Sequence, residues 1–121
     1  MFVKACRFLF LVMSVTSNIT FVISPLDESR FLLWMREFAI PALFCREDTF
    51  IDYSLKKVIE IAGETPSPEH GLSIALQVQF RSKEDAYRWT NKNLDSVLVR
   101  FHSEFGPEAA FFITLLENIE V

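Results

Sequence analysis

The most restrictive feature of this chain is the order in which its hydrophobic patterns follow one another. An alternating segment is followed by a capped helical segment, two more alternating segments, a second capped helical segment and a final alternating segment. Alternation of apolar and polar residues is typical of a strand with one buried face, and three- to four-residue spacing is typical of an amphipathic helix. The chain therefore predicts the element order β-α-β-β-α-β from Thr16 to Val121.

Alternating residues predict the first three strands. In the segment 72–81 five apolar residues alternate without a break with Ser, Ala, Gln and Arg, which is the strongest strand pattern in the chain. The segment 18–24 alternates in the same way, and the segment 49–61 predicts a long strand. The Pro, Gly and Ser residues of 62–71 predict a loop that joins the strands on either side of it as an antiparallel pair.

The last predicted strand is apolar on both faces. Phe111, Ile113 and Leu115 share one face, while Phe112 and Leu116 lie on the other. Large apolar side chains on both faces are typical of a strand that is covered on both sides. We therefore expect a second layer of protein on the face that carries Phe112.

Each helix is predicted from the signals at its ends. Ser24 and Ser82 supply N-cap hydroxyls, and acidic residues follow each of them in the first turn, where they favour the helix dipole. The first helix is expected to end or kink near residues 38–39, because Pro41 lacks the N–H of a regular helical hydrogen bond. Gly106, followed by proline, is expected to end the second helix.

These elements in this order predict an α+β protein of the ferredoxin-like class. Its βαββαβ arrangement has a four-stranded antiparallel sheet with two helices on one face. We expect a single domain over residues 14–121, preceded by an extension over residues 1–13.

The N-terminal segment has two interpretations. Lys4 and Arg7 precede a short apolar run, as in a secretory signal, and residues 1–17 acting as a signal peptide would make the protein an exported one. The interpretation we favour is that Met13 is the natural start and the protein is cytoplasmic, because the pattern of the fold begins just after that residue.

The composition limits the classes of function. A net charge of −4 and a pI near 5.1 argue against a protein that neutralises nucleic-acid phosphates. A hydrophobic fraction of 50% with 13 Phe is rich for a polar-surfaced monomer, so we expect a homodimer that covers the surplus apolar surface.

The apolar runs fall short of the roughly 20 residues that span a bilayer, and we expect no stable membrane insertion. Cys6 and Cys45 lie in different contexts, and we expect neither a metal nor another cofactor.

Three short motifs resemble those of a small uncharacterised bacterial family. Similar proteins carry a W-hydrophobic-[RK]-E-x-x-I-P run at the end of the first helix, here within residues 31–41. They also carry a V-Q-aromatic strand, here 78–80, and a T-L-hydrophobic-E pattern, here 114–117. The resemblance extends from about Ser14 to the C-terminus and implies a dimeric α+β barrel-type fold with no established activity. Where similar proteins continue I-P-E-V, this chain has I-P-A-L at 40–43, so no role for that carboxylate is carried over.

Polar residues on the sheet face away from the helices form the candidate site. The first and third strands of such a sheet are central neighbours, so the amides and hydroxyls that alternate with buried residues share this face. Val22, Phe50, Phe112 and Leu116 are expected to border them. These polar groups either line a small-molecule site between two packed sheets or bond to water and to each other across a dimer interface. The predicted ligand-binding residues are Asn18, Thr20, Gln77, Gln79 and Thr114.

Other residues with reactive side chains have structural explanations. His70 lies in the loop and His102 near the end of the second helix, too far apart in the chain pattern to form a metal site. The carboxylate pairs at 27–28 and 84–85 lie in first helical turns, where acidic residues are expected for capping rather than for acid–base catalysis.

The sequence thus predicts a non-enzymatic homodimeric module that holds a small ligand between its sheets. The alternative is a cofactor-free enzyme of the monooxygenase-like dimeric α+β barrel type. That enzyme needs a buried His, Tyr or Asp beside the amides. Tyr53 and His102 are the aromatic-polar candidates, and both are predicted to lie elsewhere.

Overall fold

The computed structural model describes residues 14–44, 49–59 and 71–119. The predicted extension, both cysteines and nearly all of the predicted loop, with His70, lie outside the described residues. Among the residues described, no helix has both the length and the apolar character needed to cross a membrane. The elements in chain order are β1 (Val15–Ile23), a 3₁₀ turn (Pro25–Asp27), α1 (Glu28–Trp34), a first π turn (Met35–Ala39), α2 (Ile40–Phe44), β2 (Phe50–Lys57), β3 (Leu72–Phe80), α3 (Lys83–Trp89), a second π turn (Thr90–Leu94), α4 (Asp95–Phe105) and β4 (Ala110–Glu117).

The four strands form one antiparallel sheet in the order β2-β3-β1-β4. β1, one of the two central strands, pairs with β3 on one side and with β4 on the other, so that Ile19 lies opposite both Leu76 and Ile113. The predicted element order and the central pairing of the first and third strands are confirmed. This is the ferredoxin-like α+β fold.

The core lies between the sheet and the helices. Along β1 every second side chain is buried, and Ile19 and Phe21 have no exposed surface. The ring of Phe21 packs against Phe31 from α1 and Phe101 from α4, with ring centroids 5.3 and 5.0 Å apart. Both helical segments therefore cover the same face of the sheet. The apolar residues that alternate along the first and third strands are the ones that face the helices.

Both predicted N-caps form. The Ser24 hydroxyl accepts a hydrogen bond from the Leu26 backbone N–H at 3.3 Å, and the Ser82 hydroxyl accepts one from the Asp85 N–H at 3.1 Å. Each bond satisfies an N–H group that has no partner within its own helix.

Pro41 predicts that the first helix ends or kinks near residues 38–39, and the structure shows that the helical segment does not end there. It passes through a π turn, in which the Ile40 N–H donates to the Met35 carbonyl five residues back, and continues as α2 to Phe44. The wider turn changes the hydrogen-bonding register just before the proline, which has no N–H to donate. The chain thus accommodates Pro41 by changing the kind of helix rather than by ending it.

The predicted position of Phe50 on the face away from the helices is wrong, because a β-bulge follows this residue. Phe50 lies opposite Phe80, and the register with β3 then shifts so that Asp52 lies opposite Gln79. Because the bulge interrupts the two-residue alternation, Phe50 shares the helix-covered face with Phe80, and its ring packs 4.7 Å from the Phe44 ring. Phe50 therefore does not border the candidate site.

A buried hydrogen bond joins the two helical segments. The Trp89 indole N–H donates to the backbone carbonyl of Leu43 at 3.1 Å, and neither residue exposes surface to solvent. Leu43 belongs to α2, and Trp89 belongs to α3. The indole thus gives a carbonyl that is buried in the core a hydrogen-bond donor from the other helical segment.

We predict that Trp89→Phe destabilises the protein more than Trp34→Phe. The first change leaves the Leu43 carbonyl buried without its indole donor, a cost of about 1–3 kcal/mol in addition to the lost ring volume. The Trp34 indole N–H is buried and has no hydrogen-bond partner among the described residues, so its loss leaves no acceptor unpaired. Urea unfolding of the two variants measures the difference, and equal losses would contradict the role given to the Trp89 bond.

Candidate functional site: the open face of the sheet

The sheet surface opposite the helices, called the open face, carries the predicted site. Its side chains are the residues of β1 that alternate with the buried ones, together with their cross-strand partners. Asn18 marks the middle of this face, with Gln77 on one side and Thr114 on the other. All five predicted ligand-binding residues lie on the open face: Asn18, Thr20, Gln77, Gln79 and Thr114.

A row of uncharged polar side chains crosses all four strands. The register places Ser54 of β2 opposite Gln77, which extends the row to the margin of the sheet. Asn18 and Gln77 are partly buried, whereas Thr114 is exposed. The middle of the open face is therefore polar and without charge.

Hydrogen bonds connect four of the open-face side chains into a chain. The Lys56 ammonium donates to Gln77 Oε1 at 2.9 Å, and Gln77 Nε2 donates to Asn18 Oδ1 at 3.2 Å. Asn18 Nδ2 then donates to the Thr20 hydroxyl oxygen at 3.1 Å. We call this set the Lys56–Thr20 chain. Three of its members were predicted as site residues.

Sequence reasoning missed Lys56. Its signal was its place in β2, where it alternates with Ser54 and so shares that residue's face. The neighbouring lysine, Lys57, points to the opposite face, where its ammonium pairs with Glu28 of α1 at 2.9 Å. The two lysines thus have different environments because the strand turns successive side chains to opposite faces.

Two predicted site residues lie outside the Lys56–Thr20 chain. Gln79 and Thr114 make no side-chain hydrogen bond with any residue that the structure describes. Gln79 lies opposite Thr16 and Asp52, and Thr114 lies beside Asn18. Their amide and hydroxyl groups are available to a ligand, to water or to another chain.

Apolar side chains flank the polar row on the β4 side. Phe112 lies opposite Thr20 and is 60% exposed, and Leu116 lies opposite Thr16 and is 46% exposed. Val22 belongs to the same face and is half-buried. These three residues therefore lie on the open face, as expected for the border of the candidate site.

The other candidate residues lie away from the open face. The Tyr53 ring stacks on the Phe44 ring of the helical layer, with ring centroids 4.2 Å apart. The centroid of the His102 ring lies 5.4 Å from that of the Phe111 ring. Phe111 itself pairs with the buried Phe21, on the helix-covered face. Neither residue lies beside the amides, as predicted.

Two acidic residues of the first helical turns pair with arginines of the same helical segment. Asp27 pairs with Arg30 at 3.2 Å, and Asp85 pairs with Arg88 at 3.7 Å, each three residues along its helix. Within the described ranges, no group of three or more His, Cys, Asp or Glu residues could hold a metal ion.

The one-sided layer of helices on a β2-β3-β1-β4 sheet defines the class of protein, a ferredoxin-like α+β domain. Within that class, the chain belongs to the family of the domain of unknown function DUF4286, whose model matches residues 14–119. The family assignment confirms the resemblance to an uncharacterised family. It assigns no activity.

Solved structures share the fold at low sequence identity. A conserved protein from Methanosarcina mazei Go1 is 12% identical, with a TM-score of 0.64 over 92% of this chain and 98% of that chain. An ethyl tert-butyl ether D (EthD) family protein from Bacillus halodurans C-125 is 10% identical, with a TM-score of 0.62 over 87% and 99%. A hydroxynitrile lyase from Passiflora edulis is 11% identical, with a TM-score of 0.55 over 88% and 97%.

Comparison with curated proteins finds no significant sequence match. The similarities to solved structures support the fold alone, because all three identities are far below the level at which residues of a site correspond.

We predict that Gln77→Leu lowers stability more than Gln79→Leu. Gln77 holds the middle of the Lys56–Thr20 chain, and its loss leaves the Asn18 carbonyl without a donor. The expected cost is about 1 kcal/mol, since the groups are only partly buried. Gln79 has no such partner among the described residues, so leucine there should be neutral or slightly stabilising. Thermal and urea unfolding of both variants test this, and a larger loss for Gln79→Leu would contradict it.

Proposed function

We propose that the protein is a non-enzymatic homodimeric module that packs the open faces of two sheets together and holds a small ligand between them. The observation that carries this proposal is the composition of the open face. Half-buried amides and hydroxyls lie in its middle, and exposed apolar side chains flank them. Small-molecule sites combine a few placed polar groups with apolar walls in this way.

The exposed apolar side chains support a partner on this face. Phe112 and Leu116 leave the same face of β4, one on each side of Thr114, and a partner that covered this face would bury both exposed side chains. A second copy of the chain is the partner that we propose. The paired positions of the open face include one acidic and one basic residue, Asp52 and Lys56, so two such faces approach without net repulsion.

The polar row supports a ligand between the two copies. Buried amides and hydroxyls without partners cost free energy, so a closed interface has to provide acceptors and donors for them. Gln79 and Thr114 have unused groups within the described part of the chain. A small molecule with polar groups at one end and an apolar body would satisfy them and also cover Phe112.

The alternative, a cofactor-free enzyme of the monooxygenase-like dimeric barrel type, lacks a matching observation. Tyr53 and His102 lie on the helix-covered side. Asp52 lies on the open face, but it is exposed, and its carboxylate accepts a hydrogen bond from the Tyr53 backbone N–H at 2.8 Å. A general base needs a proton within hydrogen-bonding reach and a site that excludes water. The described residues favour binding over catalysis.

We predict that the protein sediments as a dimer and that Phe112→Glu converts it to a monomer or weakens association by at least about tenfold. A carboxylate at this position would be desolvated without a partner in the interface. Val99→Glu is the matched control, because Val99 is 69% exposed on α4, away from the open face. Analytical ultracentrifugation of the three proteins measures the change. A wild type that stays monomeric at high concentration would contradict the proposed dimer.

We predict that fragments which bind the protein perturb the side-chain amide NMR signals of Gln77 and Gln79. Both amides lie on the open face, whereas the exposed Asn91 amide belongs to the second π turn and is expected to stay unperturbed. A screen of neutral, anionic and cationic fragments by nitrogen–proton correlation spectra makes the measurement. If every binding fragment perturbs Asn91 and leaves both glutamines unchanged, the ligand site lies elsewhere.

A further inference from the structure

The Lys56–Thr20 chain has a fixed direction. A lysine ammonium has only donors, so the atom of Gln77 that faces it has to be the carbonyl oxygen. The amide nitrogen of Gln77 then faces Asn18, whose oxygen accepts, and the Asn18 nitrogen turns to Thr20. The charge of Lys56 thus determines the orientation of both amides. Every bond in the chain donates away from the ammonium.

The Lys56–Thr20 chain ends at the Thr20 hydroxyl, whose proton is available for donation. The Thr20 oxygen accepts from Asn18 Nδ2, and within the described residues its own O–H donates to no partner. Hydrogen bonds that follow one another in a single direction polarise each other, so this O–H is a better donor than an isolated hydroxyl. Lys56 keeps two further N–H donors at the other end.

Lys56 and Thr20, the two ends of the Lys56–Thr20 chain, flank one small residue. The register places Ala75 between Lys56 on β2 and Thr20 on β1, in the row next to the two amides. The four residues of the Lys56–Thr20 chain therefore surround Ala75 on three sides. Neighbouring strands lie about 4.8 Å apart, so an oxygen atom above the Ala75 methyl group would lie within reach of both flanking donors. Phe112, on the far side of Thr20, provides an apolar surface beside this position.

We propose that this position above Ala75 binds the carboxylate of a ligand whose apolar body lies against Phe112. The ammonium of Lys56 and the hydroxyl of Thr20 would each donate to the carboxylate, and Ala75 leaves the space that it occupies. The inference rests on the proposed ligand-binding function and narrows its ligand class to apolar carboxylic acids. A ligand with a cationic head would meet the like charge of the Lys56 ammonium here.

Three probes with similar phenyl-bearing tails and different heads test the charge preference. These are phenylbutanoate, benzylacetone and phenylbutylamine, which present a carboxylate, a ketone and an ammonium. Titrations followed on the Thr20 backbone amide and on the Asn18 and Gln77 side-chain amides give the affinities. We expect the carboxylate to bind about tenfold or more tighter than the ammonium, with the ketone between them.

Matched substitutions test the individual donors. Lys56→Met should lower phenylbutanoate affinity about tenfold, whereas Lys56→Arg should retain most of it. Lys57→Met is the control on the same strand, because Lys57 pairs with Glu28 on the opposite face. Thr20→Val should lower the affinity while Thr20→Ser restores it, and Ala75→Leu should block binding by filling the space.

The outcomes separate this inference from the function on which it rests. If no probe or screened fragment binds the wild type, the ligand-binding function is wrong and the inference fails with it. If probes bind but the ammonium binds as tightly as the carboxylate, or if Lys56→Met and Thr20→Val leave phenylbutanoate affinity unchanged, the carboxylate site is wrong while ligand binding stands. Circular dichroism spectra of each variant establish that a loss of affinity is not a loss of fold.

Discussion

The structure depends on the double pairing of β1. This strand is hydrogen-bonded to β3 on one side and to β4 on the other. Neither its register nor the set of its side chains that faces the helices can change without disrupting the whole sheet. Ser17 shows the strength of that constraint. It occupies a helix-facing position with no exposed surface, and its hydroxyl has no hydrogen-bond partner among the described residues. An unmet buried hydroxyl costs about 1–3 kcal/mol, which the alternation of the apolar neighbours outweighs.

The same constraint produces the candidate site. Once the helices cover one face of β1, the alternate residues Asn18 and Thr20 have to lie on the other. Their cross-strand partners, Gln77 and Phe112, follow from the register. The sequence predicted these placements because strict alternation along two central strands leaves only one face for the polar residues. The fold class and the placement of the candidate residues on β1 and β3 can therefore be read from local sequence patterns without a structure.

The features that could not be predicted arise where a local pattern is interrupted. The bulge after Phe50 moves that ring to the core, and nothing in an otherwise alternating segment marks the extra residue. The π turn before Pro41 lets a helix continue where a proline normally ends it. The partnership of Lys56 with Gln77 needs both the strand register and the direction of a long side chain, and neither is present in a sequence pattern. Interruptions and long polar side chains thus set the limit of sequence reasoning here.

The two π turns have a consequence for comparing relatives of this chain. Each residue advances an α-helix by about 100°, and a π turn accommodates one additional residue within a single turn. The helical residues before and after Met35–Ala39, and before and after Thr90–Leu94, therefore follow two apolar stripes that are out of phase by about one residue. A relative with regular helices would keep the same core with one residue fewer in each segment. In a correct alignment the gaps belong inside the helices, at positions where gaps are ordinarily penalised, rather than in the neighbouring loops.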